Sequence, residues 1–136
     1  MRFAQRKKTS VFREREELLR RGRAAAQTLR TAHPSVTSVS VQLRFLSKEV
    51  PFHAPQSFAL YPPAKMHLAF PCPFGDCSGI YELDEAGLPA LKGEKNTVTG
   101  KLECSGLRSR DGASGQPCGL WVSYTITAHH EPVSRS

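Results

Sequence analysis

No stretch of this chain approaches the roughly 20 consecutive apolar residues that a membrane-spanning helix needs. Its basic opening, "MRFAQRKKTSVF", is followed neither by an apolar run nor by a small-residue cleavage site, so it does not read as a secretory signal. The chain is therefore expected in the cytoplasm, where thiols stay reduced and cysteine clusters bind metal more often than they form disulfides. A phosphate-cradling glycine motif and a nucleophile elbow are both missing, so no enzymatic machinery is recognisable and a non-catalytic role is expected. Aromatic residues make up only 8% of the chain, and Phe3 is the one aromatic within residues 1–9. A base-stacking surface is thus not evident there. An apolar fraction of 39% over 136 residues fits one domain with a small core, which an additional staple would help to hold.

Acidic residues are scarce at one end. Residues 1–35 hold ten Lys/Arg against three Asp/Glu, whereas residues 36–136 hold nine of each, so the whole excess of +7 sits in the N-terminal quarter. Residues 1–9 read as a basic flexible tail, and Ser10 as the cap of an amphipathic helix over residues 11–31. At 100° per residue, Phe12, Leu18, Leu19, Ala25, Ala26 and Leu29 fall on one side, and Arg13, Arg20, Arg21 and Arg23 on the other. Glu16 with Arg20, and Glu17 with Arg21, are i, i+4 pairs in the favourable order. His33-Pro34 ends the helix, because a residue before Pro is pushed out of the helical region.

From Val39 the apolar period becomes two. Val39, Val41, Leu43 and Phe45 alternate with Ser40, Gln42 and Arg44, as in a half-buried strand. A Pro-rich connection, "KEVPFHAPQSFALYPP", follows, with a short extended piece at residues 58–61. Met66, Leu68 and Phe70 alternate into Cys72, and "GIYEL" is a short strand. Residues 84–96 form a loop with room for one helical turn, and "TVTGKLEC" runs as a strand into Cys104. The segment "SGLRSRDGASGQP" is too polar and Gly-rich to pack a core. Beyond Cys118, Leu120, Val122, Tyr124 and Ile126 share one face of a strand and Trp121 takes the other, so the strand could be covered on both sides. The reading is one α+β domain over residues 10–128, an N-terminal helix packed across a small antiparallel sheet of four to six strands. Residues 129–136 are expected as a disordered C-terminal tail.

The four cysteines fall in step with these strands. Cys72 ends one strand and Cys77 precedes the next, while Cys104 ends another and Cys118 precedes the last. Each pair thus sits at a hairpin tip, and two adjacent tips would bring four sulfurs together as the soft tetrahedral set that Zn²⁺ prefers. Pro73, Gly79, Gly106 and Gly119 beside them suit turns that aim backbone N–H groups at sulfur. Phe74 and Asp76 read as turn filler.

On these residues the chain resembles the zinc-ribbon group, in which two Cys-bearing knuckles on β-hairpins clamp one structural zinc. The resemblance covers residues 66–127 and implies Cys72, Cys77, Cys104 and Cys118 as ligands of one Zn²⁺ per chain. The usual two residues between paired cysteines become four and thirteen here. Lengthening a hairpin tip costs only about 0.6 kcal/mol per doubling. The residues alone also admit two disulfides, Cys72–Cys77 and Cys104–Cys118, or four unrelated thiols.

Histidine offers little competition for the site. His67 faces opposite to Met66 and Leu68 on its strand, and His129 and His130 fall in the tail, where either could replace one cysteine as ligand. With four Cys ligands no position stays open for water, so the zinc would be structural rather than catalytic. Asp76, Glu82, Asp84 and Glu85 read as a solvated loop and strand edge rather than an acid–base pair.

The functional expectation comes from the basic end. Arg2, Arg6, Lys7, Lys8, Arg13, Arg20, Arg21 and Arg23 supply charge for several phosphate contacts, which points to RNA, a ribonucleoprotein or DNA. The alternative is a protein–protein interaction module, using the Pro-rich residues 50–63, the exposed sheet edges and the "SGLRSRDGASGQP" loop, with the zinc purely structural. Neither reading involves a membrane or a small-molecule substrate.

Overall fold

The computed structural model describes residues 2–46, 55–74, 77–108 and 115–131, with side chains from residue 13 onward. Its first element is a 24-residue helix, α1 (Arg2–Ala25). Residues 2–9, expected as a flexible tail, are continuous with that helix. They contain neither Gly nor Pro and are rich in Arg, Lys, Gln and Ala, so nothing local stops the helix before Ser10. At its other end the helix stops at Ala25 rather than running on to residue 31.

Long-range pairing is what stops it. The Gln27 carbonyl accepts from the Met66 N–H at 2.8 Å, Leu29 N–H donates to the Ala64 carbonyl at 2.8 Å, and Thr28 bridges to Lys65. These contacts take backbone groups that a continuing helix would need. Thr28 then caps a second, four-residue helix, α2 (Leu29–Ala32), its hydroxyl oxygen accepting from the Thr31 N–H. On the exposed side of α1, Glu17 pairs with both Arg20 and Arg21, and these are the Glu–Arg pairs of α1 among the described residues. The hydrogen bond from Arg20, with that from Arg21 behind it, holds the Glu17 carboxyl down at about 2.

The described strands are β1 (Val36–Leu46), β2 (Gln56–Leu60), β3 (Ala69–Pro71), β4 (Ile80–Glu82), β5 (Thr97–Glu103), β6 (Leu107–Arg108), β7 (Gln116–Pro117) and β8 (Trp121–His130), with one turn of helix, α3 (Leu88–Leu91), between β4 and β5. β2, β1, β8 and β5 lie side by side in that order as an antiparallel sheet, and β3–β4 and β6–β7 are separate two-stranded pairs. Val39, Val41, Leu43 and Phe45 oppose Ala128, Ile126, Tyr124 and Val122, so the alternating apolar positions of both strands share the inner face. Leu29 of α2, Ala90 and Leu91 of α3, and Leu68, Tyr81 and Leu83 in and around β3–β4 complete the core on that side.

Three expectations are corrected by this arrangement. First, α1 does not lie across the four-stranded sheet; it rests chiefly on β3 and the turn that follows. Its apolar stripe is too narrow to cover a sheet, since Arg15 and Leu19 are its buried residues among the described side chains while Leu18 is 58% exposed. Second, among the described residues no element covers the outer sheet face. Trp121 stands 42% exposed there with Leu46 opposite it, and the rest of that face, with Ser40, Gln42, Ser123, Thr125 and Thr99, is mainly polar. Third, His129 and His130 are not in a disordered tail but close β8 against Ser38 and Val36. Residues 132–136 lie outside the described residues, as do residues 50–54 of the Pro-rich segment, 109–114 of the polar loop, and Gly75 and Asp76. No described helix is long and apolar enough to cross a membrane.

Candidate metal centre

Two turns built on hairpin hydrogen bonds carry the cysteines. In the first, between β3 and β4, Cys72 N–H donates to the Gly79 carbonyl at 3.0 Å and Cys77 N–H to the Phe74 carbonyl at 3.2 Å. In the second, Cys104 N–H donates to the Leu120 carbonyl at 2.8 Å and Cys118 N–H to the Gly106 carbonyl at 3.0 Å, with β6–β7 projecting beyond. The two turns join edge to edge. Cys77 bridges to Arg108, Ser78 N–H donates to the Leu107 carbonyl at 3.1 Å, and Leu107 N–H donates to Ser78 Oγ at 3.0 Å.

This places the four Sγ atoms within 4.8 Å of one another. Cys72 and Cys118 are 3.8 Å apart and Cys77 and Cys104 3.6 Å apart. The close pairs therefore run between the turns, not within them, and all four cysteines are free, so neither Cys72–Cys77 nor Cys104–Cys118 is a disulfide. A tetrahedron with metal–sulfur bonds of about 2.3 Å has sulfur–sulfur edges of about 3.8 Å, which these two edges match.

The backbone around the sulfurs is shaped to the same end. The tripeptide Cys-Ser-Gly occurs at Cys77 and again at Cys104, and in both copies the glycine N–H points back at the cysteine sulfur, Gly79 to Cys77 at 3.3 Å and Gly106 to Cys104 at 3.4 Å. The two glycines also meet face to face. A Cβ on Gly79 would run into Cys104 Sγ, and one on Gly106 would run into the Gly79 backbone and lie 2.9 Å from Cys77 Sγ. Only glycine lets the two turns approach this closely.

Comparison with protein-family models, curated proteins and solved structures finds no match for this chain. The site's own chemistry is what speaks for it. Hydrogen bonds from Cys72 and then Cys77 pull the Cys104 thiol down to about 4. The same bond to Cys104 pushes Cys72 strongly up, and Cys77 is raised chiefly by Cys104 too, with burial adding to both. Without a cation the cluster thus favours one thiolate and resists further charge. Four such sulfurs could hold a metal ion, which would remove that repulsion.

Other sequence candidates do not join the site. His67 turns toward Asp84, with Nδ1 3.6 Å from Oδ2, while the other Asp84 oxygen accepts from Leu68 N–H at 2.8 Å. His130 sits at the far end of β8, about 30 Å of strand from Trp121, bonded to Ser35 Oγ at 3.1 Å and the Ala90 carbonyl at 2.9 Å. His129 precedes it on that strand, its carbonyl accepting from Thr37 Oγ1. Phe74 is more than turn filler, because the Arg108 guanidinium lies 3.7 Å over its ring and ties the two turns together.

Arg15 is the residue that sequence reasoning missed. It is 5% exposed, and its Nη1 donates to the carbonyls of Cys72 at 3.1 Å, Phe74 at 3.0 Å and Cys77 at 2.7 Å. The available signal was a charge at i+3 from Phe12 and i−4 from Leu19, on the apolar side of the helix. Of the basic residues expected to bind phosphate, Arg13, Arg20, Arg21 and Arg23 are exposed along α1. Arg2, Arg6, Lys7 and Lys8 belong to α1, but their side chains lie outside the described ones.

Proposed function

We propose that this chain is a small zinc-ribbon-like protein in which Cys72, Cys77, Cys104 and Cys118 hold one structural Zn²⁺, and whose role is to bind nucleic acid through α1. The convergence of four sulfurs within 4.8 Å carries the metal reading. An all-thiolate tetrahedral set suits Zn²⁺, and with four protein ligands it leaves no position for a reacting water. The same donor set also takes iron, so metal analysis of untagged protein purified under reducing conditions is the deciding measurement. About one zinc per chain is expected; a value well below one, or iron in its place, would overturn the assignment.

The nucleic-acid reading rests on the exposed guanidiniums of Arg13, Arg20, Arg21 and Arg23 on a helix that carries most of the chain's basic excess. Deleting residues 1–23 would also remove Arg15 from the cysteine turns, so changing all four exposed arginines to glutamine is the cleaner test. Affinity for a mixed-sequence duplex should fall steeply with salt, each phosphate contact adding about 0.9 to the slope of log K against log salt. The fourfold variant should flatten that slope. An unchanged slope would refute the reading. A protein partner is the second reading, favoured by Leu46 and Trp121, which lie opposite each other on β1 and β8 at 37% and 42% exposed. A stoichiometric protein in a pull-down, with no copurifying nucleic acid, would select it.

A further inference from the structure

We infer that the outer face of the four-stranded sheet binds single-stranded nucleic acid, with a base stacked on Trp121 and phosphates held by Arg44 and Lys101. The inference takes its class of ligand from the nucleic-acid reading above, but it uses none of the arginines of α1. Strand register fixes the arrangement. Trp121 of β8 stands between Leu46 of β1 and Glu103 of β5, and in the next outward row Ser123 stands between Arg44 and Lys101. Successive rows on one face lie about 7 Å apart, and the strands of Arg44 and Lys101 are about 10 Å apart across β8. Trp121, Arg44 and Lys101 are exposed, and among the described residues neither cation has an ion-pair partner.

These side chains fit a single strand better than a folded protein partner. Every base has an apolar ring face, so one aromatic side chain accepts any of them while neighbouring cations take up the backbone charge. A four-stranded sheet is a suitable platform, because unpaired bases can lie flat against the rings it presents. A protein interface is built instead on a cluster of buried apolar anchors. On this face Trp121 and Leu46 are the large apolar residues, and the row beyond the cations, Gln42–Thr125–Thr99, is polar. Its hydroxyls and amide suit sugar and phosphate oxygens. Charge favours the same ligand, since the outward positions of β1, β8 and β5 hold two cations, Arg44 and Lys101, against one acid, Glu103. Glu103 lies in the row of the ring rather than in that of the cations, where it can accept a hydrogen bond from a base's exocyclic amine. A duplex keeps its ring faces stacked inside and has none to lay on Trp121.

The chain has one tryptophan, so its emission reports on Trp121 alone. The full chain is titrated at neutral pH with a dodecamer of deoxycytidine and with the duplex of that dodecamer and its complement. Tryptophan emission is followed throughout, together with the anisotropy of a labelled dodecamer. The single strand should quench Trp121 saturably, and the duplex should leave it unchanged. Trp121→Ala should weaken single-strand binding roughly 5- to 150-fold, the worth of one stacked base, and Trp121→Phe, which keeps a ring, much less. Changing Arg44 and Lys101 together to glutamine should lower the single-strand salt slope by about 1.4, at about 0.7 per phosphate contact. Absent quenching, equal quenching by the duplex, or a Trp121→Ala affinity within twofold of wild type would overturn the inference. So would a stoichiometric protein that wild type captures and Trp121→Ala does not, with no quenching by the dodecamer; the face would then belong to a protein partner. Should Trp121→Ala not fold, the wild-type comparison of single strand with duplex decides alone. Failure of the α1 reading is separate, because it shows as an unchanged duplex salt slope in the fourfold arginine variant and not in Trp121 emission.

Discussion

Replacing Gly79 with alanine is expected to abolish metal binding and to destabilise the fold by about 3 kcal/mol or more. The reason is position, not backbone conformation, since the glycines with positive φ are Gly93, Gly115 and Gly119 among the described residues. A methyl at residue 79 would overlap Cys104 Sγ and lie 3.3 Å from both Cys77 Sγ and the Gly106 Cα. None of these obstacles is the free end of a flexible side chain. Two are sulfurs of the cysteine cluster and one is backbone, so relief requires moving the second turn bodily away from the first. That motion opens the sulfur cluster and breaks the contact between Ser78 and Leu107. Gly106→Ala should behave alike, because its methyl meets the backbone of Gly79 from the other side. Ser105→Ala is the control: Ser105 sits between Cys104 and Gly106 yet is exposed, and its replacement should leave metal content and the urea midpoint near wild type. Wild-type metal content and stability in Gly79→Ala would refute this account of the site.

How much of this was open to a reader of the sequence differs from element to element. β1 and β8 were legible because half-buried strands advertise themselves by alternation, and the inward residues Val39, Val41, Leu43, Val122 and Ile126 are the buried ones. The cysteine pairing with strand ends was legible too, since a ligand at a hairpin tip leaves its mark as Cys adjoining an alternating run. The Cys-Ser-Gly repeat was a further signal: it gives the bond from glycine N–H to sulfur in both turns. The boundaries of α1 were not legible. Ser10 is a good cap in isolation, but capping only matters where the preceding residues disfavour helix, and residues 2–9 do not. The break after Ala25 depends on residues 64 and 66, some forty positions away. Arg15 was hidden for a different reason. Its contacts to the cysteine turn are to backbone carbonyls, which carry no side-chain identity, so no spacing rule could connect it to Cys72 and Cys77.

Removing the metal is expected to have the largest effect of all. Structural zinc sites of this class bind with roughly 10–16 kcal/mol, while a domain's net stability is about 5–15 kcal/mol. What would remain cannot stand alone: β3 and β4 have three residues each and β6 and β7 two, well below what an isolated hairpin needs. The loss does not stay local. Leu68, Tyr81 and Leu83 cover the inner face of the sheet, and the Tyr81 hydroxyl ties β4 to the Leu120 carbonyl at 2.7 Å. Chelation, or Cys104→Ser, should therefore melt the domain cooperatively. At about 4 °C per kcal/mol, losing even 5 kcal/mol lowers Tm by roughly 20 °C. The pH dependence follows from the same sulfurs. In the metal-free cluster Cys104 is held down near 4 chiefly by Cys72 and Cys77, and those two are raised in turn. At neutral pH they remain thiols, so zinc uptake must expel their protons, and affinity should rise with pH and fall on acidification. Calorimetry in buffers of differing ionisation enthalpy measures that release directly. A Tm unchanged by chelation, or zinc uptake without proton release, would show that these four cysteines are not what holds the fold.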